Sequence, residues 1–439
     1  MRLIALAALA TALAVLAPYA QASPPFSGPD LPSATPVLRH GPATRTASIS
    51  ATGLCGRLRA LARRGGSRTG LFVLDDSADR VVCRRASRTR RSLASNMKLF
   101  TTATALARFG PDDRIPTRLF RLGALDGATL HGSLYLVGGG DPALGSPAFY
   151  DRYYAGLGTD LYALARYVRE AGIRRVTGRV YADESMFDAL RGVADSGYAT
   201  SPYIGPLSAL SFNTGFSAPR PGAFSSNPAR LAAVKLARVL SRRGVRVTER
   251  VAVRPLPDGP GPRELGRVLS PRMSRLVDAT DVYSNNFFAE MLIKRLGARF
   301  RSRGSTAAGA SVVERFAADH GSGVHAIDGS GLTRGNRASP AEVGRLLQAM
   351  RAGYAGDRFA GALALAGREG TVADRMRGTP AEGRCRVKTG TIIAVSALSG
   401  YCFNRSGKTM VFSVLMNGVW DLDRARRAQD RIAALVARY

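Results

Sequence analysis

The sequence predicts an α/β fold, with an α/β sandwich interrupted by a large inserted domain. Three features predict it: a helical segment at 95–109 preceded by short strands, three successive strand-like segments near the carboxyl terminus, and a closing helix at 421–439. Helices combined with an antiparallel run of strands are typical of two packed layers. Of the 439 residues, 45% are apolar and 22% charged, so the chain can bury a sizeable core in about two or three domains.

The amino terminus has the features of a cleaved export signal. Arg2 precedes an apolar run at 3–16, and Ala20-Gln21-Ala22 has the small-x-small pattern of a cleavage site. A membrane anchor is the alternative, but the run is short for a bilayer span of about 18 residues or more. We therefore expect a signal peptide at 1–22 and a periplasmic or extracellular, wall-associated protein. Residues 23–50, rich in Pro, Ser, Ala and Thr, predict a disordered linker.

The remaining elements divide the chain into three parts. Strands at 70–75 and 80–83 and the helix at 95–109 form the first part of the sandwich, at 51–114. The inserted domain at 115–263 carries strand-like segments at 132–137 and 175–182 and helical segments at 160–171 and 229–242. The second part, at 264–439, has helical segments at 270–277, 286–296 and 340–351, strands at 384–391, 397–403 and 409–416, and the closing helix.

The charge is strongly basic and is carried almost entirely by arginine. There are 63 Lys and Arg against 32 Asp and Glu, a net charge of +31, and only five of the basic residues are Lys. For an exported protein this charge favours anionic wall polymers over nucleic acid, although an arginine-rich composition with no specific partner explains it equally well. The few lysines are therefore informative, whereas nothing in the sequence indicates an oligomeric state.

A serine paired with a lysine is the strongest catalytic signal. The sequence has no G-x-S-x-G and no H-E-x-x-H, so neither a histidine-based serine hydrolase nor a zinc hydrolase is indicated, and we expect no metal and no cofactor. Lys98 follows Ser95 by three residues, which places both on one face of a helix. A lysine can act as a base if its pKa falls from about 10 to near 7. Alternatively, Ser95 is only a helix cap.

A second motif supports this chemistry. Lys388-Thr389-Gly390 lies on a predicted strand, and S-x-x-K, S-x-N and K-T-G together form the motif set of class A β-lactamases and penicillin-binding proteins. The spacing leaves three S-x-N candidates open. They are Ser211/Asn213, Ser225/Asn227 and Ser284/Asn286.

A family resemblance selects among them. The segment at 284–292 resembles the S-D-N-x-x-A-E-x-L segment of D-Ala-D-Ala carboxypeptidase/endopeptidases of the penicillin-binding protein 4 type, with Asn285 in place of the usual Asp. Further matching segments lie, in the family's order, at 139–142, 328–332, 366–371, 387–391 and 397–401. The resemblance implies a β-lactamase/transpeptidase-like α/β sandwich with an inserted mixed α/β domain, acting on peptidoglycan peptides and bound by β-lactams.

The resemblance also implies roles for individual residues. Ser95 is the nucleophile and Lys98 its base, while Ser284, held by Asn286 and Lys388, relays a proton to the leaving amine. The K-T-G segment forms the substrate-binding strand, on which Lys388 and Thr389 bind the terminal carboxylate of the substrate. Gly390 and Thr391 continue this strand. The backbone N–H groups of Ser95 and Thr391 form the oxyanion hole. Asp195 is the acidic candidate for recognising the stem-peptide diamino acid, with a plain surface loop as the alternative.

Two other functions share these motifs. The first is a β-lactamase, which must hydrolyse its acyl-enzyme quickly. The sequence lacks the E-x-x-L-N segment that supplies this step in class A β-lactamases, but Tyr283-x-Asn285 would fit a class C-like β-lactamase. A non-catalytic wall-binding or β-lactam-sensing module is the other alternative, which the intact motif residues disfavour.

The four cysteines predict two disulfides. They contain no C-x-x-C pair, and thiols in exported proteins tend to oxidise. A hairpin centred between Ile393 and Ala394 would place Cys385 opposite Cys402, and Cys55 would then pair with Cys83 by elimination. Buried free thiols are the alternative.

Overall fold

A computed structural model describes residues 50–218, 220–404 and 407–439. The predicted signal peptide at 1–22 and almost all of the predicted linker lie outside the described residues. Ser50, assigned to the linker, caps the first helix, because its hydroxyl accepts a hydrogen bond from the backbone N–H of Gly53. The predicted fold class is confirmed: the protein is a mixed α/β sandwich with an inserted domain.

The sandwich is built on an antiparallel sheet of six strands. In order across the sheet they are Ala364–Leu365, Cys385–Ile392, Val395–Phe403, Thr409–Asn417, Arg68–Asp75 and Arg80–Arg85. Side chains alternate between the two faces. Leu71 and Val73 join one hydrophobic cluster, whereas Phe72 and Leu74 join the other, so both faces of the strand Arg68–Asp75 are covered. The three carboxyl-terminal strands pair as the sequence predicted.

The helices form a layer on each face of this sheet. The first and last helices, Ala51–Arg64 and Leu422–Arg438, cover one face. The helices of the other face are Met97–Phe109, Met273–Val282, Asn286–Arg301, Thr306–Asp319, Pro340–Ala352 and Gly356–Gly361. We call Met97–Phe109 the serine helix, Asn286–Arg301 the amide helix and the strand Cys385–Ile392 the lysine strand. Every residue of the serine helix from Met97 to Leu106 is buried, as expected for a helix at the centre of a domain.

The sequence prediction missed the helix Thr306–Asp319. It packs closely against the amide helix at two glycines: a Cβ on Gly309 would collide with the carbonyl oxygen of Ile293, and one on Gly297 would lie 2.6 Å from the carbonyl oxygen of Arg303. Small residues let the two backbones approach, but they also weaken the apolar periodicity by which a helix is predicted.

The inserted domain has its own sheet of seven strands and its own core. Its strands are Pro116–Asp126, Thr129–Val137, Arg175–Val176, Val180–Asp183, Arg246–Val247, Ala252–Val253 and Arg263–Leu269. Its helices are Pro147–Tyr154, Leu164–Glu170 and Pro228–Arg242. The segment at 175–182, predicted as one strand, is divided into two short strands.

The end of the inserted domain lies beyond the predicted boundary at 263. The strand Arg263–Leu269 pairs antiparallel with Pro116–Asp126, so the sheet of the inserted domain extends to Leu269. Directly after this strand, the backbone N–H of Ser270 donates to the carbonyl oxygen of Ile115 at 2.9 Å. The backbone N–H of Ile115 in turn donates to the Ser270 hydroxyl at 2.8 Å. The domain therefore leaves the sandwich and returns to it at one point.

Two disulfides join the four cysteines, in the predicted pairing. Cys55 is bonded to Cys83, and Cys385 to Cys402. Cys385 and Cys402 lie directly opposite each other in the ladder, which ends in the two-residue turn Ile393-Ala394 between the paired residues Ile392 and Val395. Among the described residues, no helix is both long and apolar enough to span a membrane.

Candidate active site

Ser95 lies in a single turn of 3₁₀ helix that leads into the serine helix. The turn spans Ala94–Asn96, and Ala94 adopts a left-handed backbone conformation, with φ of 46°. Non-glycine residues adopt this conformation rarely, and the surroundings must hold it. The Asn96 amide does so in part, because it donates to the carbonyl oxygen of Lys388 at 3.0 Å and ties the turn to the lysine strand.

The Lys98 amine contacts three oxygen atoms. Its Nζ lies 3.2 Å from the Ser95 hydroxyl, 2.7 Å from Oδ1 of Asn286 and 2.6 Å from the carbonyl oxygen of Ser330. The last two oxygens can only accept hydrogen bonds. A neutral amine has two N–H groups and one lone pair, so the two acceptors take both N–H groups and leave the lone pair directed at the Ser95 hydroxyl. This arrangement can accept the serine proton.

The electrostatic surroundings favour the neutral amine. Lys98 is completely buried, and this burial, together with the neighbouring Lys388 ammonium, lowers its pKa to about 7. The carboxylates of Glu290, Asp328 and Asp281 oppose both effects. The pKa of Lys98 thus reaches the range that the sequence analysis set as the requirement for a lysine base.

Two buried acids hold the loop that reaches Lys98. Glu290 accepts hydrogen bonds from the backbone N–H groups of Gly329 and Ser330, which places the Ser330 carbonyl over the lysine. Asp328 accepts three more, from the N–H groups of Gly331 and Thr333 and from the side chain of Asn336. The sequence analysis gave these residues no role, although the segment at 328–332 was among the family matches.

Of the three S-x-N candidates, the structure brings only Asn286 to Lys98. Asn213 accepts from the backbone of Ser146 inside the inserted domain, and Asn227 caps the helix Pro228–Arg242. The Asn286 amide is oriented at both ends, because its Nδ2 donates to the carbonyl oxygen of Tyr203 at 3.0 Å while its Oδ1 faces Lys98.

The residues next to Asn286 differ in their roles. Ser284 is half-buried, directly before the amide helix, and has a left-handed φ of 59°. Asn285 caps this helix by accepting from the N–H of Phe288. Asn and Asp are comparable helix caps, so the substitution of the family's usual Asp leaves this contact intact. Because Asn285 points to the helix end, the Tyr283-x-Asn285 reading does not match the geometry.

Lys388 and Asp281 form a second buried charged group. Lys388 is fully buried, and its Nζ donates to the carbonyl oxygen of Thr389 at 3.0 Å. Burial lowers its pKa to about 8, and the Asp281 carboxylate opposes the shift. Asp281 is equally buried, and neither of its oxygens receives a hydrogen bond of normal geometry from the described residues. The hydroxyl of Thr102 beside it already donates to the Lys98 carbonyl oxygen. Sequence reasoning missed Asp281.

The lysine strand runs directly past the 3₁₀ turn Ala94–Asn96, which we call the serine turn. A Cβ on Gly390 would lie 2.9 Å from the carbonyl oxygen of Leu93 and 3.0 Å from the backbone nitrogen of Ser95, so only glycine permits this approach. Thr389 and Thr391 on either side are half-buried, and the Thr389 hydroxyl donates to that of Thr371 at 2.9 Å. This edge is the part of the lysine strand that a substrate beside Ser95 would meet.

A loop of the inserted domain forms a further wall of the site. The ammonium of Lys294, on the amide helix, donates to Asp188 at 2.5 Å and to the carbonyl oxygen of Leu190 at 2.9 Å. The same loop carries Tyr203, whose carbonyl oxygen meets Asn286. Asp195 is exposed in a 3₁₀ turn of this loop, and in the described part of the chain it contacts none of the five candidate catalytic residues.

Comparisons with known proteins concern the whole chain. The model of the D-Ala-D-Ala carboxypeptidase 3 (S13) family matches residues 58–220 and 217–439. The chain is 30% identical over 455 residues to a D-alanyl-D-alanine carboxypeptidase of Actinomadura sp. (strain R39), covering 85% of this chain and 82% of the relative. It is 28% identical over 360 residues to a carboxypeptidase of Mycobacterium tuberculosis, covering 77% and 74%.

The fold is also similar to that of a solved penicillin-binding protein. Penicillin-binding protein 4 from Haemophilus influenzae superposes with a TM-score of 0.72 at 18% identity, covering 87% of this chain and 99% of that one. At this identity the likeness concerns the fold alone.

Proposed function

The chain belongs to the D-Ala-D-Ala carboxypeptidase 3 (S13) family, and on that premise we propose that it cleaves peptidoglycan stem peptides through an acyl-enzyme on Ser95. It is a penicillin-binding, serine-type D-Ala-D-Ala carboxypeptidase. The observation that supports Ser95 as nucleophile is the arrangement at Lys98: its Nζ lies 3.2 Å from the Ser95 hydroxyl, while two carbonyl oxygens accept from it and would take both N–H groups of a neutral amine.

In the acylation step, Ser95 Oγ attacks the carbonyl carbon of the penultimate D-Ala while its proton passes to Lys98 Nζ. The C–N bond to the terminal D-Ala then breaks, and the proton passes through the Ser284 hydroxyl to the leaving amine. Water hydrolyses the resulting ester, which regenerates Ser95 and releases the shortened peptide. The N–H groups of Ser95 and Thr391 stabilise the negative oxygen formed during each attack.

The lysine strand binds the free carboxylate that distinguishes a carboxypeptidase substrate. Lys388 supplies the positive charge and Thr389 a hydroxyl, while Gly390 keeps this edge close to Ser95. Lys388 must stay protonated in a fully buried position, and Asp281 is the acid that raises its pKa there. We assign Asp281 as the counter-charge of Lys388 because its charge raises the Lys388 pKa and neither of its oxygens receives a hydrogen bond of normal geometry from the described residues.

We expect kcat/KM for a D-Ala-D-Ala peptide to rise as pH increases through about 7 and to fall above about 8. Protonation of Lys98 removes the base on the acidic side, and deprotonation of Lys388 removes the carboxylate-binding charge on the alkaline side. In the variant Asp281→Asn the loss of negative charge lowers the pKa values of both Lys98 and Lys388. The bell-shaped pH profile of kcat/KM therefore moves to lower pH, and its alkaline side, which reports on Lys388, moves more than its acidic side. Asp278→Asn is the matched control, because Asp278 lies on the same helix but faces arginines. A profile unchanged by Asp281→Asn contradicts the counter-charge role.

The two disulfides allow a matched test of what positions the lysine strand. Replacing either pair by alanine removes a cross-link worth about 3 kcal/mol of unfolding free energy in the chain-entropy model. We expect comparable losses for both pairs in chemical denaturation. Acylation by penicillin should slow only in the Cys385→Ala/Cys402→Ala variant, because Cys385 lies on the lysine strand three residues before Lys388. Equal acylation rates in the two variants would show that neighbouring strands alone position Lys388.

A fluorescent penicillin and a D-Ala-D-Ala peptide test the function itself. The expected result is a slowly released covalent label together with D-Ala release from the peptide. Rapid turnover of the penicillin would indicate a β-lactamase, and labelling without D-Ala release would indicate a sensing module.

The same peptide assay tests Asp195. If Asp195 binds the stem-peptide diamino acid, Asp195→Asn raises KM only for peptides that carry a second free amine. An equal effect on both peptide classes would show it to be a plain loop residue.

We also propose export to the periplasm or cell exterior and attachment to anionic wall polymers. The apolar segment at 3–16 with its cleavage pattern supports export, and the net charge of +31 supports attachment. Binding to isolated walls should therefore fall steeply above about 0.15 M salt, where the screening length is about 8 Å. Binding that does not change with salt would indicate uncharged contacts to peptidoglycan instead.

A further inference from the structure

Two large apolar side chains are exposed beside each other at one end of the sandwich. Trp420 is 90% exposed and Ile393 is 54% exposed. They belong to neighbouring turns, because the backbone N–H of Val419 donates to the carbonyl oxygen of Ala394 at 3.0 Å. We call Ile393 and Trp420 the apolar tip. Tryptophan is on average one of the most buried residues, so its near-complete exposure here is unusual.

Four arginines lie near the apolar tip. Arg334 donates to the carbonyl oxygen of Ile393, and the Cδ of Arg68 lies 3.5 Å from where a Cβ on Gly418 would stand. Arg424, in the first turn of the last helix, donates to the carbonyl oxygen of Arg64 at 2.9 Å. All four arginines are exposed.

Two acids lie in the same region, and the balance remains positive. Asp421 is the cap of the last helix, where it accepts from the N–H of Arg424, and Asp423 lies in the first helical turn. Four arginines against two carboxylates leave the region of the apolar tip with a net positive charge.

This combination is typical of a surface that enters the boundary of an anionic bilayer. Indole rings favour the interface between headgroups and acyl chains, and arginines around them attract anionic headgroups. A glycan strand fits less well, because a sugar can stack on Trp420 but Ile393 has no ring face to offer. A neutral glycan would also leave the arginines without counter-charges.

We propose that the apolar tip inserts into the interfacial region of an anionic phospholipid bilayer while Arg64, Arg68, Arg334 and Arg424 bind the headgroups. Ile393 follows Thr391 by two residues on the hairpin of the lysine strand. The docked protein therefore holds the hairpin end of the lysine strand, and with it one end of the active-site cleft, close to the membrane surface. In this position the cleft meets the stem peptides nearest to the bilayer. The binding itself does not depend on the catalytic roles proposed above.

The single tryptophan makes the proposal directly measurable, because emission excited at the long-wavelength edge, where tyrosine does not absorb, reports on Trp420 alone. Secreted protein that lacks the apolar segment 3–16 is mixed with vesicles of phosphatidylglycerol and phosphatidylcholine, or of phosphatidylcholine alone. We expect a blue shift, quenching by brominated lipid, and co-sedimentation only with the anionic vesicles. Each effect should be reversed by about 0.5 M salt, because the electrostatic screening length then falls well below the about 8 Å of physiological salt. No response, or an equal response to neutral vesicles, overturns the proposal.

Variants separate insertion from general charge attraction. Ile393→Ser retains Trp420 and every arginine, and we expect it to weaken vesicle binding about fivefold or more while kcat/KM for a soluble peptide stays unchanged. Tyr354→Ser is the matched control, since Tyr354 is 95% exposed but belongs to a different loop, and its binding should equal that of the unmodified protein. Equal binding by Ile393→Ser overturns the proposal, as does a blue shift on isolated peptidoglycan without one on vesicles. Trp420→Ser, followed by sedimentation, should lose binding as Ile393→Ser does.

Discussion

Replacing Ser95 by alanine will abolish the covalent penicillin label and reduce D-Ala release by on the order of 10⁶-fold. The hydroxyl of Ser95 lies 3.2 Å from the Lys98 amine, and alanine leaves that amine with no nucleophile to activate. Because the serine turn is held by the Asn96 amide and by Gly390, not by the Ser95 side chain, the variant should keep its fold.

Mass spectrometry of penicillin-treated protein measures this result. Ser413→Ala is the matched control: it removes the hydroxyl of a buried serine that pairs with Ser399 in the sheet and should leave labelling intact. A label that persists in Ser95→Ala and maps to Ser284 would move the nucleophile to the second motif. Loss of labelling in both variants would indicate a general defect of the sheet.

Lys98→Arg should slow acylation by about 10²- to 10⁴-fold, the usual contribution of a general base. The guanidinium keeps the positive charge but stays protonated at any workable pH, so it has no lone pair for the serine proton. Stopped-flow labelling with fluorescent penicillin measures the rate constant, and thermal unfolding checks that the larger side chain is accommodated.

A second pair of measurements separates proton transfer from charge. Lys98→Met fills the same space without charge or lone pair and should be as slow as Lys98→Arg. Lys98→Ala should regain acylation when ethylamine is added, in proportion to the neutral amine present. If Lys98→Arg keeps most of the rate while Lys98→Met loses it, Lys98 acts by its charge and the lysine-base mechanism is wrong.

Local spacing was sufficient to predict the two lysine motifs. Ser95 and Lys98 are three residues apart, in a 3₁₀ turn and the helix that directly follows it, and Lys388 lies on a strand with clear apolar character, so each is visible within a few residues of sequence. The choice of Asn286 over Asn213 and Asn227 was different, because helix caps and turn contacts use the same residue types as catalytic sites. Only the family resemblance separated them before the structure did.

The contacts missed by sequence reasoning all join distant segments. The Ser330 carbonyl reaches Lys98 across 232 residues, and the Tyr203 carbonyl reaches Asn286 across 83 residues. Backbone carbonyls leave no trace in residue identity, since any amino acid carries one. Asp281 was missed for a related reason: its burial between two lysines depends on how the helix Met273–Val282 packs, and an acid in a helix is ordinarily a solvent-facing residue.

The junction at Ile115 and Ser270 makes the inserted domain a cassette. Because its two ends are joined by hydrogen bonds, the stretch between them can be exchanged without moving the strands and helices on either side. A chimera that receives a related cassette must retain an acid opposite Lys294 and a carbonyl oxygen opposite Asn286, since these hold the cassette against the cleft. With the acid and the carbonyl oxygen retained, Ser95 and Lys98 stay in place, and only the loop of the inserted domain that lines the cleft changes. Such exchanges offer a route by which this fold acquires new peptide preferences.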